Sequence, residues 1–236
     1  MDLPHVAWAA GLFEAEGSLS HHMPKGRRTP RATLDLSQKG ADVIPEVLDR
    51  FRQVVECGQI FGPYRGYLYY WRTHDVALIA FVVLLLWPWI SSEKRAQMRK
   101  TLEAVPALWV AAAFGDLFTD EIGSASDETQ RAWAAGFFEG DGTIGAYRTR
   151  GSEAHVLTAS IAQASDSGVP SALTRFHAVA AAGNIYGPIA PRGWSRLPQY
   201  RWQARGRHAA RIATLLLPWL AGAKKEQVIT ALDTAR

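Results

Sequence analysis

Two segments of this chain place carboxylates where an α-helix least favours them. Trp8-Ala9-Ala10-Gly11-Leu12-Phe13-Glu14-Ala15-Glu16-Gly17 is small and apolar until two acids close it, and Trp133-Ala134-Ala135-Gly136-Phe137-Phe138-Glu139-Gly140-Asp141-Gly142 repeats the pattern at an offset of 125 residues. If each run is helical up to its glycine, the acids fall in the last turn, where the helix macrodipole disfavours negative charge by about 0.3 to 1 kcal/mol each. A compensating interaction is therefore expected. The Ala-Ala-Gly stretches would let two such helices approach backbone to backbone, bringing their C-terminal ends together with Glu16 and Asp141 on a pseudo-two-fold axis. Two neighbouring carboxylates repel unless a cation sits between them. Hard oxygen ligands favour Mg²⁺, which keeps waters and bridges to phosphate oxygens. The chemistry this permits is phosphodiester hydrolysis, in which an activated water attacks in line while the cation steadies the leaving oxygen.

The elements that must deliver these groups are duplicated too. At the same offset Gln38 matches Gln163, Pro45 matches Pro170, Arg50-Phe51 matches Arg175-Phe176, and Gly58, Gly62 and Pro63 match Gly183, Gly187 and Pro188. Further on the offset is 130, pairing Pro88-Trp89 with Pro218-Trp219, Lys94 with Lys224 and Gln97 with Gln227, so five extra residues are expected in an Ala190 to Leu197 hairpin. In the first half, Asp2 and Pro4 start a helix that Gly17 would end in the left-handed conformation. Leu19 to Met23 and Ala32 to Gln38 read as strands, and Val43 to Val55 as a helix. Gln59 to Phe61 and Tyr67 to Arg72 form a hairpin around Gly62-Pro63, Val76 to Trp87 is a buried helix, and Ser91 or Ser92 caps another from Glu93. Ser126 or Asp127 caps the second copy. The expectation is an α+β protein of two pseudo-symmetric αββαββα halves, residues 1–103 and 127–236, joined by a partly helical linker, 104–126, with the repeated helices at their interface.

Composition narrows the class. With 236 residues and 48 % apolar content there is enough material for a true core, and a single cysteine, Cys57, excludes an internal disulfide. No Cys/His cluster has zinc spacing. The longest apolar run, Val76 to Ile90, has 15 residues and contains Pro88, short of the roughly 20 needed to span a bilayer. No leader is evident in the opening Met-Asp-Leu-Pro, so an intracellular protein is expected.

The net charge of +4 gains meaning from where the basic residues lie. Between Gly187 and Arg207 stand Arg192, Arg196, Arg201, Arg205 and Arg207 without one acid; Lys25, Arg27, Arg28 and Arg31 crowd the first strand connection, and Arg65, Arg72, Arg148 and Arg150 extend the pattern along predicted strands and turns. Interleaved Tyr64, Tyr67, Tyr69, Trp194, Tyr200 and Trp202 favour nucleic acid over a merely solvated face. A β-ribbon fits the DNA major groove, where arginine can read guanine edges with two hydrogen bonds. Two non-identical halves predict a long, weakly palindromic target.

The repeated decapeptides, ending Leu12-Phe13-Glu14-Ala15-Glu16-Gly17 and Phe137-Phe138-Glu139-Gly140-Asp141-Gly142, resemble the two signature motifs of a monomeric LAGLIDADG homing endonuclease, and the resemblance spans nearly the whole chain. It implies two sheets forming a saddle over double-stranded DNA, motif helices between the halves, and a Mg²⁺-dependent, staggered double-strand cut. Mn²⁺ would substitute, and Ca²⁺ would bind without supporting cleavage. The last acid of each motif would ligate metal, which falls on Glu16 and Asp141, while a strand glutamine and a lysine beyond the Pro-aromatic pair would fall on Gln38, Gln163, Lys94 and Lys224. The chain departs from the motif in having alanine for its leading leucine and Glu16 where aspartate is usual, which also admits a strand-biased nickase. Such a protein, free-standing or intron-encoded, would work in the cytoplasm or nucleoid of a prokaryote or in an organelle matrix.

Other readings stay open at this stage. The fold could serve a non-cleaving binder, such as a maturase acting on host intron RNA or a transcriptional regulator. The acids could be solvated helix ends, the lysines ordinary surface residues, and the glutamines polar strand positions. Glu14 and Glu139 read as interface-orienting or capping groups, Trp89 and Trp219 as core aromatics, and Cys57 as a buried small apolar residue. His21 and His22 point to opposite strand faces and cannot readily share a metal.

Overall fold

The computed structural model describes residues 2–40, 42–109, 125–148, 154–191 and 196–235. In the first half α1 (Leu3–Glu16), β1 (Gly17–His22), β2 (Arg31–Lys39), α2 (Glu46–Val55), β3 (Gln59–Tyr64), β4 (Leu68–Thr73), α3 (Val76–Leu86) and α4 (Ser92–Ala104) follow in order. The second repeats them as α5 (Asp127–Asp141), β5 (Gly142–Arg148), β6 (His155–Ala164), α6 (Ser171–Ala180), β7 (Asn184–Ile189), β8 (Gln199–Arg205), α7 (Arg207–Leu216) and α8 (Gly222–Thr234). Each half holds a four-stranded antiparallel sheet, ordered β1-β2-β4-β3 and β5-β6-β8-β7. This is the α+β, two-half architecture expected from the repeat. Among the described residues no helix is long and apolar enough to cross a membrane.

Burial explains the arrangement. In α1 every residue from Val6 to Glu14 is buried, and in α5 every residue from Ala132 to Glu139 is, so these helices are surrounded rather than amphipathic. The strands alternate: Tyr69, Trp71 and Thr73 of β4 and Tyr200, Trp202 and Ala204 of β8 turn inward, leaving Tyr70 and Arg72, or Arg201 and Arg205, on the outer face. Helix α4 packs on β1 and α8 on β5, which places the starts of α4 and α8 beside the ends of the central helices.

Several local expectations are corrected. Gly17 is extended, at φ −75° and ψ 147°, and opens β1 at once; glycine is needed because a Cβ would strike the Phe13 ring, as one at Gly142 would strike Phe138. The β3–β4 hairpin turns at Arg65 and Gly66, both with positive φ, while Gly62-Pro63 lies in a bulge inside β3, where a proline costs no ladder hydrogen bond. Helix α2 begins at Glu46, leaving Val43 and Ile44 exposed ahead of it. The sheets pair Leu36 with Trp71 and Ile161 with Trp202, an offset of 131 between the two tryptophans. The β7–β8 connection therefore carries six extra residues, and the offset returns to 130 because α7 is one residue shorter than α3. Cys57 is half-buried, its carbonyl accepting the Trp71 indole N–H at 2.8 Å. The expected linker is described as far as Trp109, past a turn of 3₁₀ helix at Pro106–Leu108; the rest of its apolar segment lies outside the described residues.

Candidate active site and nucleic-acid interface

Helices α1 and α5 make backbone contact through two glycines. A Cβ at Gly11 would collide with the Trp133 carbonyl oxygen, and one at Gly136 with the carbonyl oxygen of Trp8, so each glycine seats the other helix. The contact runs to the ends: a Cβ at Gly140 would strike the side chains of Ala15 and Glu16. Two arginines clamp the halves. Arg50 lies 4.0 Å over the Trp8 ring and donates to the Trp219 carbonyl at 2.5 Å; Arg175 lies 3.9 Å over the Trp133 ring and donates to the Trp89 carbonyl at 2.6 Å. Burial pushes the Arg175 guanidinium down to about 9. These clamps were visible in the sequence only as the repeated Arg-Phe pair, with nothing there to say what the arginines touch. Trp89 and Trp219, expected as core aromatics, are half-buried at this interface.

Glu16 and Asp141 sit at these adjoining ends. Burial pushes Asp141 from 3.8 up to about 6; a 3.1 Å hydrogen bond from the Gln163 amide opposes the rise and the Glu16 charge adds to it. Glu16 is also raised by burial, against the pull of Lys94, Lys224 and Lys39. Lys94 donates from Nζ to the Gly17 carbonyl at 2.9 Å, and Lys224 donates likewise to Gly142, so each ammonium is tied to the residue that ends a motif helix. Burial lowers both lysines, and both feel Glu16 and Asp141. The site thus draws its acids and its lysines from both halves.

Glu14 and Glu139 turn away from this pair. Glu14 accepts from the Ser91 N–H at 2.7 Å and the Ser91 hydroxyl at 2.6 Å, whereas Glu139 accepts from the Ala221 N–H at 3.0 Å and is pushed by burial up to about 7. One cleft of about 440 Å³ brings Asp141, Gln163, Lys94 and Gln97 together. Its counterpart, about 620 Å³, gathers Gln38, Lys224 and Gln227 beside Glu139. Among the described residues no group of three or more His, Cys, Asp or Glu converges on one point. The carboxylates that could hold a cation at the paired helix ends are Glu16 and Asp141, a hard oxygen pair of the kind that divalent ions accept when water or phosphate oxygens complete the shell.

The basic residues divide by position. Lys25, Arg27 and Arg28 are exposed in the β1–β2 connection, Arg31 opens β2, Arg65 forms the β3–β4 turn, and Arg148 ends β5. Arg196 precedes β8, while Arg201 and Arg205 stand exposed on its outer face and Arg207 opens α7. Arg150, Arg192 and Trp194 lie outside the described residues. Arg72 is not an open contact: it is ion-paired to Asp35 at 2.9 Å and stacked 4.8 Å over Tyr70. Tyr69, Tyr200 and Trp202 are corrected from nucleic-acid contacts to core residues, because strand alternation turns them toward the helices. Tyr64 and Tyr67 remain exposed. His21 bonds Thr101 at 3.0 Å, leaving His22 on the other face.

No protein-family model and no curated protein matches this sequence. Solved structures do. The LAGLIDADG meganuclease I-AabMI bound to uncleaved DNA aligns with a TM-score of 0.67 at 14 % identity, over 97 % of this chain and 90 % of that one. The LAGLIDADG homing endonuclease I-GzeII in complex with its DNA target gives 0.64 at 13 %, over 98 % and 89 %. I-SmaMI bound to an uncleaved DNA target with calcium ions gives 0.62 at 14 %, over 96 % and 89 %. The chain therefore has the two-half fold of the LAGLIDADG homing endonucleases.

Proposed function

We propose that this protein is a site-specific DNA endonuclease that hydrolyses one phosphodiester in each strand of a long, weakly palindromic duplex, leaving a staggered break. The carrying observation is the meeting of Glu16 and Asp141 at the adjoining ends of α1 and α5, between lysines drawn from both halves. A divalent cation bound there, Mg²⁺ or Mn²⁺, would supply Lewis-acid stabilisation of the attacking and leaving oxygens, with Ca²⁺ filling the site without turnover. Gln163 holds the Asp141 carboxylate in one orientation. Lys94 and Lys224 bring positive charge to where the phosphate gains negative charge. The exposed arginines of β8 and the basic β1–β2 connection hold the duplex, a reading supported by the DNA in the aligned structures. A monomer suffices, since one chain supplies both halves. A DNA target fits the cytoplasm or nucleoid of a prokaryote, or an organelle matrix.

The test is a cleavage selection. The protein is incubated with a randomised DNA library in Mg²⁺, or in Ca²⁺ as control, and the cut ends are sequenced. One long motif broken near its centre in Mg²⁺ alone is expected. Enrichment by binding without cutting would favour the non-cleaving binder, and preference for intron RNA the maturase.

A further inference from the structure

The two lysines are not held alike. Ser91 caps α4: its hydroxyl donates to the buried Glu14 carboxylate at 2.6 Å and accepts the Lys94 backbone N–H at 3.0 Å, while its own N–H donates to the other Glu14 oxygen at 2.7 Å. A hydroxyl can serve one acceptor and one donor at once, so Ser91 ties the motif helix of the first half to the backbone of Lys94. In the second half the same place is held by Ala221, which offers Glu139 only its N–H, and α8 has no side-chain cap. Both helix starts are also tethered to the opposite half, α8 by Glu46, which accepts the Gly222 N–H, and α4 by Ser171, whose N–H and hydroxyl donate to Glu93, so the missing serine cap is the difference that remains. Gly222 has φ +46° where Ser92 stands in α4, so the turn leading to Lys224 follows a different path. The repeat is otherwise kept closely here, with both lysines tied at Nζ to the glycine after the motif helix.

We infer that Ser91 is a positioning residue for Lys94, that Ala221 leaves Lys224 less firmly placed, and that the two DNA strands are therefore cut in a fixed order, the strand served by Lys94 first. The inference rests on the endonuclease reading and specifies its kinetics. It differs from a bias caused by Glu16 against Asp141 because it lies in the backbone that carries each lysine.

The experiment measures single-turnover nicking of each strand separately, on a duplex bearing one cleavable site with both strands end-labelled, in Mg²⁺. Ser91→Ala should slow the faster strand about five-fold, the kinetic equivalent of one lost hydrogen bond, with little change in the other. Ser91→Thr, which keeps the hydroxyl, should restore the rate. Ala221→Ser should speed the slower strand and leave the faster unchanged. Duplex affinity in Ca²⁺ should be the same for all four proteins. Equal slowing of both strands by Ser91→Ala, or an effect of Ala221→Ser on the same strand as Ser91→Ala, would overturn the inference while leaving the endonuclease standing. A wild-type protein that cuts neither strand would overturn the endonuclease reading and this inference with it. If Ser91→Ala lowers the melting temperature sharply, the Ala221→Ser result decides alone.

Discussion

The Gln163 amide donates to Asp141 at 3.1 Å, and among the described residues no matching bond joins Gln38 to Glu16. The two half-sites thus differ in how their acid is oriented as well as in its length. Groups that orient a ligating carboxylate affect function through the ligand, commonly by 10- to 100-fold. Gln163→Ala should slow nicking of one strand about ten-fold with duplex affinity unchanged. Gln38→Ala should cost the opposite strand less. Strand-resolved rates check this, and equal losses would contradict it.

The acids also set a pH dependence of stability. Asp141 is pushed up to about 6 and Glu139 up to about 7, both above the 3.8 and 4.5 of the unfolded chain. The folded protein therefore binds more protons than the unfolded one between these values. The stability involved is fully present below the unfolded values and is lost as pH rises through about 6 to 7. Asp141→Asn should consequently stabilise the metal-free protein at about pH 8, by at most about 3 kcal/mol, and have little effect near pH 4. Thermal melts at the two pH values test the sign. A gain as large in acid as in alkali would show that charge burial is not its source.

The central helices leave no room for even one methyl group. Gly11→Ala or Gly136→Ala would drive a Cβ into a carbonyl oxygen of the facing helix. Either should cost at least about 2 kcal/mol, because the obstacle is backbone and cannot rotate away. If the folded fraction survives, both strands should be cut slowly, since the paired acids move apart. Urea unfolding with strand-resolved cleavage checks both effects; an unchanged midpoint would contradict the close approach.

The basic residues should separate by position. Arg201→Ala or Arg205→Ala should weaken duplex binding and lower the salt slope by about one, and whichever reads a base edge should relax preference at one position by about 1 to 3 kcal/mol. Arg72→Ala should act differently, because its guanidinium is engaged by Asp35 and its loss leaves that carboxylate unpaired to repel the duplex; the double variant with Asp35→Ala should recover the affinity the single variant loses. Binding titrations over a series of salt concentrations distinguish these outcomes.

Much of this was legible in the sequence because duplication makes each half a control for the other. The repeated helix, the four strands per half and a serine cap at 91 or 92, which the structure puts at Ser91, all follow from periodicity and turn residues. What escaped was tertiary. Whether Tyr69 and Trp202 face DNA or the core depends on strand register, which shifts by one face per residue and is set by pairing across the sheet. Residue preference makes Gly17 a left-handed terminator, but its absent Cβ makes room for Phe13, a contact that conformational preference alone does not reveal. The Arg50 and Arg175 clamps reach carbonyls of the opposite half, 169 and 86 residues away in the chain, where no local pattern could point.

In the proposed reaction Glu16 and Asp141 together hold the cation, and neither is needed to hold DNA. The direct test compares wild type, Glu16→Gln and Asp141→Asn on one cognate duplex, measuring double-strand cleavage in Mg²⁺ and binding in Ca²⁺. Both variants are expected to lose double-strand cutting while keeping near-normal affinity. Retained double-strand cutting in either would contradict the account.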